Sequence, residues 1–204
     1  MENGGGNLMK NRGTEGEQVV YEGKTFEIVR KVMQGKGKTV TIEMARRSPG
    51  VRLIIVRGDN VLLTREYRYE LNGYDYRLPG GKVFDSLKEY QEALKAKKDI
   101  SECAEEAAKL ECAEETGLIA REVRHIHTSV AGLTIQWDLF YFVVDDFTQG
   151  EQKPEDAEII HPEWKTFDEA KQLCLEGKMS EDRSLGVLLR FLGKGYHPEQ
   201  KKRY

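Results

Sequence analysis

The chain has 204 residues, of which 39% are hydrophobic, so it is long enough for one α/β domain with a buried core and a small appendage. Its 32 basic residues nearly balance its 35 acidic ones, and a formal net charge of −3 argues against nucleic acid or a membrane surface as the partner. The sequence shows neither a secretory signal nor an apolar run of membrane-spanning length. These features predict a cytoplasmic protein that acts on a small molecule.

The first 48 residues divide into a tail and a small sheet. Residues 1–16 are polar and rich in glycine, which is typical of a disordered segment. Residues 17–48 contain segments rich in β-formers around a Gly/Lys turn at 35–38, and they predict a small antiparallel sheet. Two apolar runs then flank Gly58-Asp59-Asn60, which predicts a hairpin with Asp-Asn at its tip and the beginning of the main sheet.

Helical patterns follow in the middle of the chain. Within residues 84–100, apolar side chains recur at helical spacing in a strongly charged stretch, which predicts an exposed helix. A second helix is predicted from Ser101, a suitable N-cap, to Thr116, with Gly117 as its C-terminal stop.

The remaining patterns predict further strands and two closing helices. His125 and His127 alternate along one predicted strand, which is more typical of a strand face than of a metal site. Residues 194–204 predict a solvated basic tail, and the chain as a whole is predicted to be α/β. The predicted strands are 122–128, 135–144 and 157–166, and the predicted helices are 168–176 and 184–192.

Glutamates are dense in the segment ECAEEAAKLECAEETGL, residues 102–118. On a helix with about 100° per residue, Glu111, Glu114 and Glu115 fall within an arc of roughly 100° on one face. Such carboxylates repel one another unless a cation neutralises them, and ligands made only of oxygen favour Mg²⁺ or Mn²⁺ over zinc. Because a solvated acidic helix is the commoner meaning of clustered glutamates, the neighbouring sequence has to decide.

A glycine pair precedes this helix in Leu78-Pro79-Gly80-Gly81, and paired glycines let a backbone approach a ligand or metal closely. Together, the loop and the helix resemble the Nudix box: Gly, five residues, Glu, seven residues, Arg-Glu-apolar, one residue, Glu-Glu, one residue, Gly-apolar. The residues that match the box from its first glutamate onward are Glu102, Glu111, Glu114, Glu115, Gly117 and Leu118.

The resemblance implies a Nudix α/β/α sandwich with a mixed central sheet over residues 49–193, in addition to the small N-terminal antiparallel sheet. It implies that Glu111, Glu114 and Glu115 bind Mg²⁺ or Mn²⁺, with the main chain at Gly80 as a further oxygen ligand. Glu102 would belong to the catalytic residues. The metals would polarise a diphosphate and activate a water for attack on phosphorus.

The sequence departs from the box at two places. Twenty residues lie between Gly81 and Glu102 where the pattern has five, so about fifteen extra residues, including the predicted helix at 84–100, interrupt the box. Leu110 stands where the family has an arginine that would orient the box carboxylates through a bidentate pair.

Outside the box, the segments ARRSPGV, TREYR and LEGKMSEDRSLGVLLRFL occur in the order of the ADP-ribose pyrophosphatase branch, which also contains nucleotide-sugar hydrolases. The resemblance implies a homodimer formed through residues 17–48. It also implies that Arg47 and Arg68 contact the substrate, although surface charge is an alternative for both and the stronger one for Arg47. A catalytic glutamate would lie on a mobile loop, with Glu155 as the first candidate and Glu158 as the second.

Two functions stay open at this stage, with a third of lower weight. The first is hydrolysis of the pyrophosphate in ADP-ribose or a nucleotide sugar, which gives a nucleoside monophosphate and a sugar phosphate. The second is a weak or inactive Nudix domain that binds a nucleotide as a sensor or regulator, as Leu110 and the insertion suggest. The third is an acidic scaffold helix without a metal, which leaves the glycine loop unexplained.

Overall fold

The computed structural model describes residues 17–154 and 159–194. These residues form two compact units. The first unit contains the residues up to Ser48 with Phe84–Ile100 and Ala131–Trp137, and the second contains Pro49–Val83, Ser101–Val130 and the residues from Asp138 onward. Apart from Lys194, the two predicted tails lie outside the described residues.

The strands and helices follow one another along the chain in this order: β1 (Glu17–Glu22), β2 (Phe26–Gly35), β3 (Lys38–Arg47), β4 (Gly50–Arg57), β5 (Asn60–Arg68), β6 (Gly73–Arg77), α1 (Leu87–Lys95), α2 (Ile100–Thr116), β7 (Leu118–Ala120), β8 (Arg124–Ser129), β9 (Ile135–Gln136), β10 (Leu139–Val144), β11 (Phe147–Gln149), β12 (Ile160–Thr166), α3 (Phe167–Leu175) and α4 (Asp182–Gly193).

The first unit contains a sheet with the strand order β1-β2-β3-β9. The predicted antiparallel pairing of its first three strands is confirmed, while β9 pairs with β3 in parallel. The inserted residues form α1, whose first turn is capped by Ser86 accepting a hydrogen bond from the Glu89 backbone N–H. Gln91 of this helix donates to Glu27 of β2 at 2.8 Å, so the insertion contributes to the interior of the first unit.

The second unit is built on a mixed sheet with the strand order β12-β5-β4-β10-β8, and β6 pairs with the outer part of β5. The central strands β4 and β10 run parallel, and the other neighbours pair antiparallel. Burial on both faces accounts for their nearly continuous apolar runs LIIV and LFYFVV. The buried core of this unit includes Leu53, Ile55, Phe140, Phe142 and Leu188.

Several predicted boundaries were wrong. Asn60 pairs with Arg57, so Gly58 and Asp59 form the tip of the β4–β5 hairpin, and Gly58 adopts a φ of 58° that suits glycine. The predicted strand at 135–144 is two strands in different sheets. The short strands β6, β7 and β11 were not predicted.

Helix α2 carries the acidic segment and begins one residue earlier than predicted, at Ile100, so Ser101 lies inside its first turn. Its buried face consists mainly of small residues, including Ala104, Ala108 and Cys112. Gly117 has a φ of 69° and its N–H bonds to the Ala113 carbonyl at 2.9 Å, which confirms it as the residue that ends the helix.

Candidate active site

The glycine loop is held against the first part of β4 by backbone hydrogen bonds. The carbonyls of Pro79 and Gly81 accept from the N–H groups of Leu53 and Val51, at 2.8 and 3.0 Å. Gly80, between them, has a φ of 140°, and a Cβ there would lie 2.2 Å from the Val51 carbonyl oxygen. No residue with a side chain fits at this position, because both the backbone conformation and the approach to β4 exclude it.

Two glutamates of α2, one helical turn apart, face this loop. The Glu111 carboxylate lies directly over Gly81, where an added Cβ would be 1.9 Å from its Oε1. Glu115 has 6% of its surface exposed and accepts a hydrogen bond from the Gly80 N–H at 2.7 Å. The glycine pair therefore provides the space for one carboxylate and a hydrogen-bond donor for the other.

A third carboxylate, which the sequence analysis did not identify, acts on the same site. Glu66 of β5 accepts a hydrogen bond from Thr64 Oγ1 at 2.6 Å, and Arg68 Nη1 lies 3.5 Å from its Oε2. Thr64, Glu66 and Arg68 share one strand face because they alternate along β5, and this alternation in TREYR was the signal available in the sequence.

Burial raises the pKa of Glu115 well above its usual range, and the negative charges of Glu66 and Glu111 raise it further. The hydrogen bond from the Gly80 N–H and the positive charge of Arg52 act in the opposite direction. The carboxylates near the glycine loop are therefore short of positive charge.

The other box residues are more exposed. Glu114 and Glu102 both have exposed side chains, and Glu102 lies in the first turn of α2. Leu110, in the place of the box arginine, has 62% of its surface exposed. Of the predicted metal ligands on α2, the structure brings Glu111 and Glu115 to the glycine loop and leaves Glu114 toward solvent.

The residues at the loop fit a divalent cation by their chemistry. Carboxylates and a main-chain oxygen are the ligands that Mg²⁺ prefers. Across the described residues, no three His, Cys, Asp or Glu side chains lie close enough together to form a metal site in advance. At this loop, Glu111, Glu115 and the main chain at Gly80 would hold the cation.

Arg52 of β4 reaches the predicted main-chain ligand. Its Nη1 donates to the carbonyl oxygens of Val51, at 2.8 Å, and of Gly80, at 3.0 Å. This contact could not be predicted from the sequence, because an arginine within VRLIIV gives no sign of the loop that its side chain reaches.

The two predicted substrate arginines lie in different units. Arg68 Nη2 is 2.7 Å from Glu70; burial lowers its pKa, but the hydrogen bond to Glu70 and the charges of Glu70 and Glu66 outweigh burial and raise it overall. Arg47 belongs to the first unit, where its guanidinium lies 4.4 Å from the centroid of the Trp137 ring. Both arginine side chains thus have partners within their own unit.

The two predicted catalytic glutamates of the loop, Glu155 and Glu158, lie outside the described residues. Gln152, which precedes them, donates to the main-chain carbonyl of Glu115 at 2.8 Å and to that of Ile160 at 3.2 Å. His125 and His127 lie on β8 with their rings against Phe142 and Tyr141 of β10, at 5.4 and 6.1 Å between centroids. They occupy a strand face, as predicted.

Comparisons with known proteins identify the family and the fold. A family model for the NUDIX domain matches residues 46–185, which is more than half of the chain. The chain belongs to the Nudix family. Among 205 significantly similar chains of solved structures is the crystal structure of an ADP compounds hydrolase. It has a TM-score of 0.64 and 17% sequence identity, over 88% of this chain and 93% of that chain. No curated protein sequence shows significant similarity.

The predicted fold class is confirmed by this structural likeness, and the predicted enzyme class, a Nudix pyrophosphohydrolase, is confirmed by family membership. Nudix enzymes in general use divalent metal ions and act on small nucleotide derivatives. In the part of the chain that the structure describes, no helix is both long and apolar enough to span a bilayer.

Proposed function

We propose that this Nudix hydrolase cleaves the pyrophosphate of a nucleoside diphosphate linked to a sugar, either ADP-ribose or a nucleotide sugar, with Mg²⁺ or Mn²⁺ bound at Glu111, Glu114, Glu115 and the Gly80 carbonyl. The environment of Glu115 gives the strongest support. Its buried carboxylate accepts a hydrogen bond from the Gly80 N–H at 2.7 Å and is repelled by the charges of Glu66 and Glu111. A buried carboxylate with like-charged neighbours gains most from a cation.

The substrate class rests on three further points. The segments outside the box follow the order of the ADP-ribose pyrophosphatase branch. A solved protein that shares the fold is described as an ADP compounds hydrolase. Arg68 offers a guanidinium, 36% exposed, on the same strand face as Glu66, and that group suits the phosphates or ribose of a nucleotide. Arg47 is the second proposed substrate contact.

In the proposed reaction, water attacks one phosphorus, the bridging P–O bond breaks, and a nucleoside monophosphate and a sugar phosphate leave. Bound divalent cations would polarise the diphosphate and activate the attacking water. Glu111 and Glu115 hold the negative charge that retains the cations, and Gly80 fixes the Glu115 carboxylate by its N–H. Glu102 and a glutamate of the following loop, Glu155 or Glu158, complete the proposed catalytic residues.

The experiment is a substrate panel of ADP-ribose, ADP-glucose, GDP-mannose, NADH and dinucleoside polyphosphates, assayed with Mg²⁺ and with Mn²⁺. We expect turnover of ADP-ribose or of a nucleotide sugar, and loss of that turnover in Glu115→Gln. The matched control is Glu105→Gln on the same helix, because Glu105 is 49% exposed and pairs with Lys109. Equal activity of wild type and Glu115→Gln would contradict the proposal.

A regulatory domain that binds a nucleotide without hydrolysing it is the second candidate. The exposed Leu110 favours it, since the carboxylates lack the arginine that the family uses to orient them. It predicts nucleotide binding in calorimetry with no product formed. Measurable turnover of any compound in the panel would exclude it.

We also propose that the chain forms a homodimer through residues 17–48. The sheet of the first unit leaves several apolar side chains exposed, among them Val19 at 46%, Tyr21 at 55%, Val32 at 52% and Val40 at 50%. Met33, 40% exposed, pairs directly with Val40 across β2 and β3, and apolar side chains exposed next to each other on one sheet face are typical of a protein interface. Light scattering should give twice the monomer mass, and Val40→Glu should give a monomer.

A further inference from the structure

We infer that Arg52 is the positioning residue of the carboxylate site and takes over the role that the box arginine has in the family. This inference rests on the proposed function, since it concerns the same site. Helix α2 lacks the arginine of the Nudix box. Leu110, which replaces the box arginine, is apolar and 62% exposed, so it supplies no donor to any carboxylate.

Arg52 of β4 lies beside the glycine loop, where its donors can replace those of the missing box arginine. Strand β4 is buried along most of its length, and a charged side chain there is costly unless it is paired. The guanidinium of Arg52 finds its partners in the carbonyl oxygens of Val51 and Gly80, at 2.8 and 3.0 Å. It thereby ties the glycine loop to β4 at the point of their closest approach.

Gly80 is consequently fixed by both of its polar backbone groups. Its carbonyl accepts from Arg52, and its N–H donates to Glu115 Oε2 at 2.7 Å. Arg52 therefore determines where the donor of Glu115 points, without a hydrogen bond to the carboxylate itself. A group that orients a ligand through an intermediate contact of this kind typically changes metal affinity or activity by about 10- to 100-fold when removed.

The other nearby arginine has partners of its own. Arg68 is paired with Glu70 at 2.7 Å and lies near Glu66 at 3.5 Å. Arg52 is the arginine whose hydrogen bonds lead, through Gly80, to the Glu115 carboxylate that the proposed cation requires.

The first experiment measures Mn²⁺ binding by calorimetry, together with kcat and KM on the best substrate of the panel. Arg52→Met keeps most of the side-chain length and removes the charge and the donors. We expect about tenfold weaker Mn²⁺ binding and a kcat lowered by about 10- to 100-fold, with KM changed much less. Arg57→Met is the matched control, because Arg57 lies at the end of the same strand and stacks on Trp164 at 4.3 Å; it should change neither value.

A second variant distinguishes positioning from simple support of the fold. In the Arg52→Met background, Leu110→Arg places an arginine at the box position and should restore at least part of both the Mn²⁺ affinity and kcat. If Arg52 only stabilised the loop, the added arginine on α2 would restore neither. Unchanged Mn²⁺ affinity and kcat in Arg52→Met, or absence of any rescue, would overturn the inference.

Leu110→Arg alone keeps the inference testable if Arg52→Met does not fold. Position 110 is exposed on a helix, and arginine is a good helix former. Because Arg52 already fulfils the positioning role, this variant should gain less than about twofold in kcat; a tenfold gain would overturn the inference. The Mn²⁺ measurement needs no substrate, so a wild-type protein that turns over nothing would remove the proposed function and still leave the role of Arg52 tested.

Discussion

Glu27 in the first unit and Glu115 in the second are both buried carboxylates, but their partners differ. Glu27 is fully buried and accepts from Arg46 Nε at 2.6 Å and from Gln91 at 2.8 Å, while Arg46 Nη1 holds Glu17 at 2.6 Å. Glu115 accepts a hydrogen bond from a neutral backbone N–H, and the negative charges of Glu66 and Glu111 destabilise its ionised form and raise its pKa. The charge of Glu27 is neutralised by a guanidinium within hydrogen-bond distance, whereas the surroundings of Glu115 have an excess of negative charge.

This difference indicates which buried glutamate supports the fold and which supports function. A carboxylate with a hydrogen-bonded arginine is satisfied within the protein, and removing that arginine leaves an uncompensated buried charge. A carboxylate without a comparable cation destabilises the empty site and gains when a metal binds.

We expect the largest effect on stability when Arg46, the arginine that pairs with Glu27 and Glu17, is removed. Arg46→Met leaves Glu27, whose side chain is 0% exposed, without its cation, and it leaves Glu17, 4% exposed, with Lys31 alone at 3.0 Å. We expect the free energy of unfolding to fall by about 3–5 kcal/mol, as measured by urea denaturation. The control is Arg30→Met, whose pair with Glu43 is 44% and 60% exposed and should contribute about 0–1 kcal/mol. Equal losses in the two variants would show that the network is not the support that its burial suggests.

The sequence predicted part of the second site well, because that part is local. The helical period places Glu111 and Glu115 on one face, and the glycine pair marks the loop that they approach. Glu66 and Arg52 escaped prediction because they come from strands. The contacts that join β4 to the glycine loop and the glycine loop to α2 connect residues 28 and 35 positions apart in the chain. Glu114 lies on the exposed edge of the same helical arc, and its part in binding the cation stays a prediction.

The fold shows the same division between local and distant information. The sheet of residues 17–48 and the helices were predictable from period and turn residues. The switch between β9 and β10 was not, since Ile135 and Leu139 belong to one predicted strand but pair with β3 and β4 in different sheets. An apolar pattern indicates burial, but it does not indicate the neighbouring strand.

A substitution at Gly81 would displace the Glu111 carboxylate from the glycine loop without removing a charge. In Gly81→Ala, the new methyl group would lie 1.9 Å from Glu111 Oε1, so the Glu111 carboxylate has to swing away from the loop. We expect Mn²⁺ affinity to fall about tenfold, which corresponds to about 1.4 kcal/mol. Because the obstacle is the end of a flexible side chain, the stability of the metal-free protein should change by less than about 1 kcal/mol.

Gly186→Ala is the matched control for this substitution. Gly186 lies in α4, and a Cβ there would meet nothing within 4 Å. Alanine should stabilise this helix by roughly 0.5–1 kcal/mol and leave Mn²⁺ affinity unchanged. If calorimetry gave the same affinity for both alanine variants, the position of Glu111 over Gly81 would have no part in cation binding.

The smallest effect concerns the metal-free protein. The pKa of Glu115 is higher in the folded than in the unfolded state, so the folded state binds the proton more tightly. The contribution of this group to the free energy of unfolding therefore rises as the pH falls from neutral, through the raised folded pKa, toward the usual pKa of glutamate, about 4.3. At neutral pH, Glu115→Gln removes the cost of the buried charge and should stabilise the metal-free protein by about 0.5–1 kcal/mol.

Urea denaturation in EDTA between pH 5 and pH 8 tests this expectation, and the quantity of interest is the difference between Glu115→Gln and wild type. The difference should grow with pH, whereas the exposed Glu105→Gln should show no such trend. A difference that shrinks with rising pH would mean that Glu115 is satisfied within the protein, as Glu27 is. With Mg²⁺ present the order should reverse, because ligand binding to the folded state stabilises the wild type and the glutamine variant has lost that site.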